Sequence, residues 1–522
     1  MTQFRRACGI AIFCCVCALG NQTSEGHRYF EQARQLFEQQ RWDEAQAAAE
    51  KAAAADPQAA DPEILLGLVA TVRSQFPDAE KHFLRAVSLQ PENYQAHAYL
   101  GSTYLQEKRL PQAVEAFHKV LQLSPGNVTA NYNLGAIALA QNAPADALRY
   151  FENVLRTNPS DAPGLIGKLE SQLMLDRTAD ARATTRQLQT LLPDTDPRLF
   201  QVATLLAQHG ESAAAIPIIE RVQHAFPESY DVNYNLALAC FEAGQYERAS
   251  QALQPLTGPR GGAEAFDLLG GVEEKRAHPD AAEQAFAEAA RREPANEDYR
   301  FNYANALLQH GKLQAAIAAF RSALADVPRS AKLRIGLGSA YYLSGEYEPS
   351  AQALLEAVKA KPDSATAFFL LGEAYESAGK FQPEIEHAFE SYLKRKPHDP
   401  WAHYHYAAIL YTRAQADGQN RYEAAALNLR EALRLNPRFP EAYFESGLIA
   451  LAEGKLQSAV EAFKKAISLD PQLAPAHYRL GLAYQRLGDA ELAKQELDKF
   501  RALKNDERYH AQVLQSLSSM VH

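Results

Sequence analysis

Proline recurs in this chain at a fixed step, and that step constrains the fold more than any other feature. Pro57, Pro91, Pro125, Pro159, Pro193 and Pro227 follow one another every 34 residues. The series resumes at Pro294, Pro328 and Pro362, takes steps of 35 to Pro397 and 40 to Pro437, and returns to 34 at Pro471. A period of this length marks a supersecondary unit stacked many times, because one such unit cannot bury its apolar face alone. With the proline numbered 32, position 8 is Gly or Ala in every unit except the one holding Leu169. Position 20 is Ala except at Ser350 and Glu384, and position 24 is usually large, as in Phe83, Phe117, Phe151, Phe286, Phe320 and Phe463. Small residues at 8 and 20 let two helices approach, and the large one fills the gap beside them. A glycine near position 15, such as Gly210 or Gly244, stops the first helix, and the proline stops the second. Each unit is therefore predicted as two antiparallel helices of about 14 residues, each about 21 Å long.

This pattern resembles the tetratricopeptide repeat. The run from Pro91 through Tyr94, Leu100, Gly101 and Tyr104 to Ala113, Phe117 and Pro125 carries nearly the whole family signature. Fourteen units are expected, starting near 26, 60, 94, 128, 162, 196, 230, 263, 297, 331, 365, 400, 440 and 474. The resemblance implies an all-α fold, a right-handed α-α superhelix (a solenoid) of antiparallel helix pairs. Repeats 1–7 would occupy 26–262 and repeats 8–14 would occupy 263–506, after a short lead-in at 21–25. Residues 507–522 place Tyr509, Val513, Leu517 and Met520 at helical spacing, which suits a C-terminal capping helix. Two stretches break the pattern. Residues 257–262 replace a proline end with a Gly-rich segment that reads as a hinge or as surface variation, and 412–420 reads as an exposed loop.

The first twenty residues read as a secretory signal. Arg5 and Arg6 precede an uncharged apolar run at 7–19, and cleavage is expected between Gly20 and Asn21. An uncleaved anchor and a lipidated start are the alternatives. Export to the periplasm or the exterior follows from this reading, with association with the cell envelope.

Composition narrows the chemistry. The formal charge is -10, so the chain offers no overall basic surface for nucleic acid. Four of the five cysteines lie in the apolar run, leaving Cys240, read as a small buried core residue, and no basis for a disulfide framework or a cysteine-held metal. There is no phosphate-binding GxxxxGK loop, no HExxH helix and no GxSxG elbow. No catalytic residue, metal site or cofactor is therefore expected. His403 and His405, two apart, make a poor metal pair and read as helix-surface residues.

The resemblance implies that positions 2, 6 and 9 of each first helix face a peptide-binding groove. The family's carboxylate clamp is absent, since Lys332 at position 2 is followed by Gly336 at position 6. An asparagine ladder is present only as Asn133, Asn235 and Asn302, in units that are not consecutive. The second candidate lies near the C-terminus. Trp401 and His405 are four apart on one helical face, Glu441 and Glu445 hold the same places one unit on, and Arg479 follows. The function expected is a non-catalytic scaffold that binds protein or peptide partners. The alternatives are a subunit of an envelope polysaccharide synthesis or export machine and, third, a regulatory arm of a glycosyltransferase-type enzyme. Partner identity and oligomeric state stay open.

Overall fold

The computed structural model describes residues 24–259 and 261–503. The signal segment with its Gly20–Asn21 junction and the capping helix expected at 507–522 lie outside them. The described residues form 28 α-helices and three short 3-10 turns. The fold is all-α, and consecutive helices pack as antiparallel pairs: Tyr94–Gln106 with Leu110–Leu123, Val128–Ala140 with Pro144–Thr157, and so on. The chain divides into two compact units after Pro227. The first holds six pairs and the second eight.

The core of each pair is built as the spacing requires. A Cβ placed on Gly101 would lie 2.9 Å from the Phe117 ring, and one on Gly135 would lie 2.8 Å from Phe151. Ala113 and Ala147, opposite them, are fully buried. The fifth pair inverts the arrangement. Leu169 is large and buried at position 8, and the small Thr185 stands at position 24, its hydroxyl donating to the Ala181 carbonyl at 2.8 Å. The volume between the two helices is kept by exchanging its two contributors.

The turn inside each pair needs a left-handed residue. Thirteen of the fourteen pairs place one at position 15, with φ from 54° to 87°: seven glycines, then Gln40, Ser74, Lys108, Asn142, Asp176 and Ala277. The next pair starts with a side-chain cap in most cases. Asn93, Asn127, Asp161, Ser229, Asn296, Ser330 and Asp399 each accept a hydrogen bond from the first turn of the helix they precede.

Three irregularities resolve into local chemistry. Residues 412–417 are helix, not loop: the first helix of the twelfth pair runs Pro400–Asp417 and ends at Gly418, whose φ is 67°. Arg413 holds that added turn to the preceding pair through Glu386 at 2.7 Å. In the eleventh pair the first helix stops early at Ala374 and two 3-10 turns follow, Tyr375–Ser377 and Gly379–Phe381. The register slips by one residue there, so Ile385 is fully buried beside the exposed Glu384. At 257–262 the Arg292 guanidinium donates to the carbonyls of Gly258 at 3.2 Å, Pro259 at 3.4 Å and Gly261, fastening that segment to the next pair.

Candidate partner-binding site

Six pairs share a contact that the sequence pattern did not announce. At position 4 of the first helix a polar side chain donates to the carbonyl of the proline that ended the preceding pair. His97 reaches Pro91 at 3.0 Å, Asn131 reaches Pro125 at 3.1 Å and Arg300 reaches Pro294 at 3.1 Å. Arg334 reaches Pro328 at 2.6 Å, His403 reaches Pro397 at 3.0 Å and His477 reaches Pro471 at 3.1 Å. His403, expected on the helix surface, is half-buried in this structural role, with its Nδ1 2.9 Å from Asn428 Oδ1.

The asparagines are not gathered into a ladder. Asn133 lies in the first compact unit, and Asn235 and Asn302 lie in the second. The amide of Asn133 donates to its own helix at Thr129 and that of Asn235 to Asp231, both at 2.8 Å. Asn302 donates to Asp267 Oδ1 at 2.9 Å.

The C-terminal candidates do converge, with one correction. His405 is not a surface residue: only 3 % of it is exposed, and its Nε2 is buried without a hydrogen-bond partner. The reason lies in the preceding pair. Gly372 has no side chain, and a Cβ there would collide with the imidazole, so the ring sinks into the space that the glycine leaves. Burial depresses its pKa to about 3, which keeps the ring neutral. Around it stand Phe369 at 5.4 Å, Tyr404 at 4.9 Å and Trp401 at 6.0 Å between ring centres. Trp401 packs on Phe439 at 4.5 Å and still presents 37 % of its surface to solvent.

Carboxylates edge this aromatic cluster. Glu373 Oε1 lies 3.9 Å from His405 Nε2, too far for a hydrogen bond. Its pKa is pushed up to about 7 by burial first, then by Glu441 and Glu376. Glu445 is 7 % exposed, with no side-chain hydrogen bond or ion pair among the described residues. Its pKa is also raised to about 7, by burial and by Glu376, with Arg479 opposing. Glu441 is raised too, by burial and then by Asp470. Arg479 is exposed beside the Tyr478 ring. Four carboxylates of the eleventh and thirteenth pairs are thus linked by charge: Glu441 and Glu376 act on Glu373, and Glu376 acts on Glu445. Glu373 holds position 9 of its helix. It was missed in the sequence because only positions 2 and 6 were followed there, although the groove pattern includes 9. Among the described residues no group of His, Cys, Asp and Glu side chains is placed to hold a metal ion, and no helix is long and apolar enough to cross a membrane.

Sequence profiles of the tetratricopeptide repeat match residues 64–128, 132–194, 206–270, 272–331, 304–365, 335–400 and 474–505, and a TPR repeat profile matches 447–488. The chain belongs to the tetratricopeptide repeat family. A similar curated protein is the TPR repeat-containing thioredoxin TTL4 of Arabidopsis thaliana, 44% identical over 79 residues. That match spans 15% of this tetratricopeptide repeat chain and 11% of the relative, so about a tenth of the relative's length is shared. Among solved structures, the APC/C hetero-tetramer Cut9-Hcn1 is similar over 95% of this chain and 96% of that one, at 13% identity and a TM-score of 0.36. Pseudomonas aeruginosa pilF is similar over 41% of this chain and 97% of its own, at 19% identity and a TM-score of 0.35.

Proposed function

We propose that this tetratricopeptide repeat protein is an exported, non-catalytic scaffold that binds an extended segment of a partner protein. The site is the face built from the first helices of pairs eleven to fourteen. One observation carries the reading: Trp401 stands partly exposed among packed aromatic rings, on the same face as the buried Glu445, which has no hydrogen bond or ion pair among the described residues. Aromatic anchors at well-packed centres are the residues that dominate protein interfaces. A sugar ring would also stack on Trp401, as the role in an envelope polysaccharide machine requires.

Selection of random linear peptides on the immobilised full chain tests the scaffold reading. Enriched peptides should bind the full chain in solution and lose affinity for Trp401→Ala. Failure to enrich any peptide that binds in solution overturns the reading, and retention of glycan instead favours the polysaccharide role. Export is tested by sequencing the amino terminus of protein recovered from cells, where an intact Met1 would sink cleavage after Gly20.

A further inference from the structure

We infer that this face takes the cationic side chain of an arginine or lysine carried by the partner segment, a step that rests on the scaffold reading above. Several half-buried acids elsewhere are paired with a cation across neighbouring helix pairs. Arg109 meets Glu80 at 2.6 Å, Lys312 meets Glu283 at 2.8 Å and Arg413 meets Glu386 at 2.7 Å. The acids around His405 are not paired in this way. Among the described residues Glu445 is buried with no hydrogen bond or ion pair, and Glu373 has only the neutral His405 imidazole, 3.9 Å away. The His405 Nε2 is a second, independent vacancy, a buried polar atom next to the same carboxylate with nothing to bond.

A buried carboxylate without a partner is costly, and a cation that brings its own N–H donors removes the cost. The surrounding charges select its sign. Glu441 and Glu376 act on Glu373, Glu376 acts on Glu445, Asp470 adds to the field at Glu441, and Arg479 is the cation that acts on Glu445. Tyr411, on the helix Pro400–Asp417, also faces Glu445 and Arg479 and stays neutral, its pKa raised by burial. Negative charge exceeds positive on this face, so an anionic ligand is repelled and a cationic one attracted. Trp401 supplies the remaining element, an indole on which a planar guanidinium or an alkylammonium stacks.

The chain contains two tryptophans, so Trp42→Phe in the full chain leaves Trp401 as the sole indole reporter. That protein is titrated with an acetylated, amidated peptide of Gly and Ser around a central Arg, and with matched peptides bearing Lys, citrulline or Glu. The Arg and Lys peptides should change Trp401 emission saturably and bind at least about tenfold tighter than citrulline, with Glu weaker still. Glu445→Gln and Glu373→Gln, near-isosteric and checked for folding by circular dichroism, should each remove most of that preference. Equal binding of Arg and citrulline peptides, or no change of emission with any cation, overturns the inference. The two readings fail separately. Selected peptides that bind but lack basic residues, or ignore both Gln substitutions, leave the scaffold standing and remove the cation. A chain that binds no peptide removes both.

Discussion

Position 8 shows how one atom sets the distance between two helices. Phe117 is fully buried and lies across Gly101. In the ninth pair Ala304 coexists with Phe320 because that ring rests on Gly336 of the following pair. Phe117 has no such outlet, since the equivalent place in its following pair is Asn133. Gly101→Ala is therefore expected to destabilise the first unit by about 1–3 kcal/mol through overpacking. Adding Phe117→Leu should recover part of the loss. Urea titration of the single and double variants checks this, and equal, purely additive losses would show that the ring is not what the methyl meets.

At the scale of the helix, the sequence legibly carried what depends on period. Positions 8, 15, 20 and 24 could be read because each acts within its own pair, by size or by backbone conformation. The depth of His405 could not, because it is set by Gly372, one pair away, and helical spacing says which face a residue lies on but not how far it sinks. The added turn at 412–417 was hidden for a similar reason: its helix-forming residues follow the expected stop, and the Arg413–Glu386 pair that holds it is visible only in three dimensions. The same helices give the site its pH dependence. Glu373 and Glu445 titrate near pH 7 when folded and near 4.5 in the free residue, so the folded state holds the extra protons between those values. Their contribution to stability is greatest below that window and falls as pH rises through 7. His405 acts oppositely: with its pKa lowered from 6.5 to about 3, acid removes stability as pH falls across that interval. Glu445→Gln should thus stabilise the second unit at pH 8, by about 1–3 kcal/mol, and change it little at pH 4.5. Hydrogen exchange of 440–452 at the two values reads this, and protection that is lower in the variant at pH 8 would contradict it. A substitution that strengthens the fold while weakening cation binding is the expected mark of a site kept for function.

Within each compact unit, each helix pair packs on its sequence neighbours, and stability becomes a sum of pair and neighbour terms instead of one cooperative quantity. A single unfolding free energy is then not the right description, and the useful measurement is local. Phe463 makes the point testable. It is fully buried, lies against Phe444 at 5.8 Å and shares a core with Leu448, Val460, Leu480 and Tyr484. Phe463→Ala removes a large side chain from that core, at a cost of about 3–5 kcal/mol. The loss should appear as faster amide exchange in the thirteenth and fourteenth pairs, which supply every member of the shared core named here. Exchange in 94–157, in the other compact unit, should stay at its original rate. Because the pairs transmit the defect only by contact, the effect should decline stepwise through pairs twelve and eleven. Uniform acceleration from residue 24 to 503 would show instead that the repeats unfold as one body, and the argument from neighbour contacts would fail at this scale.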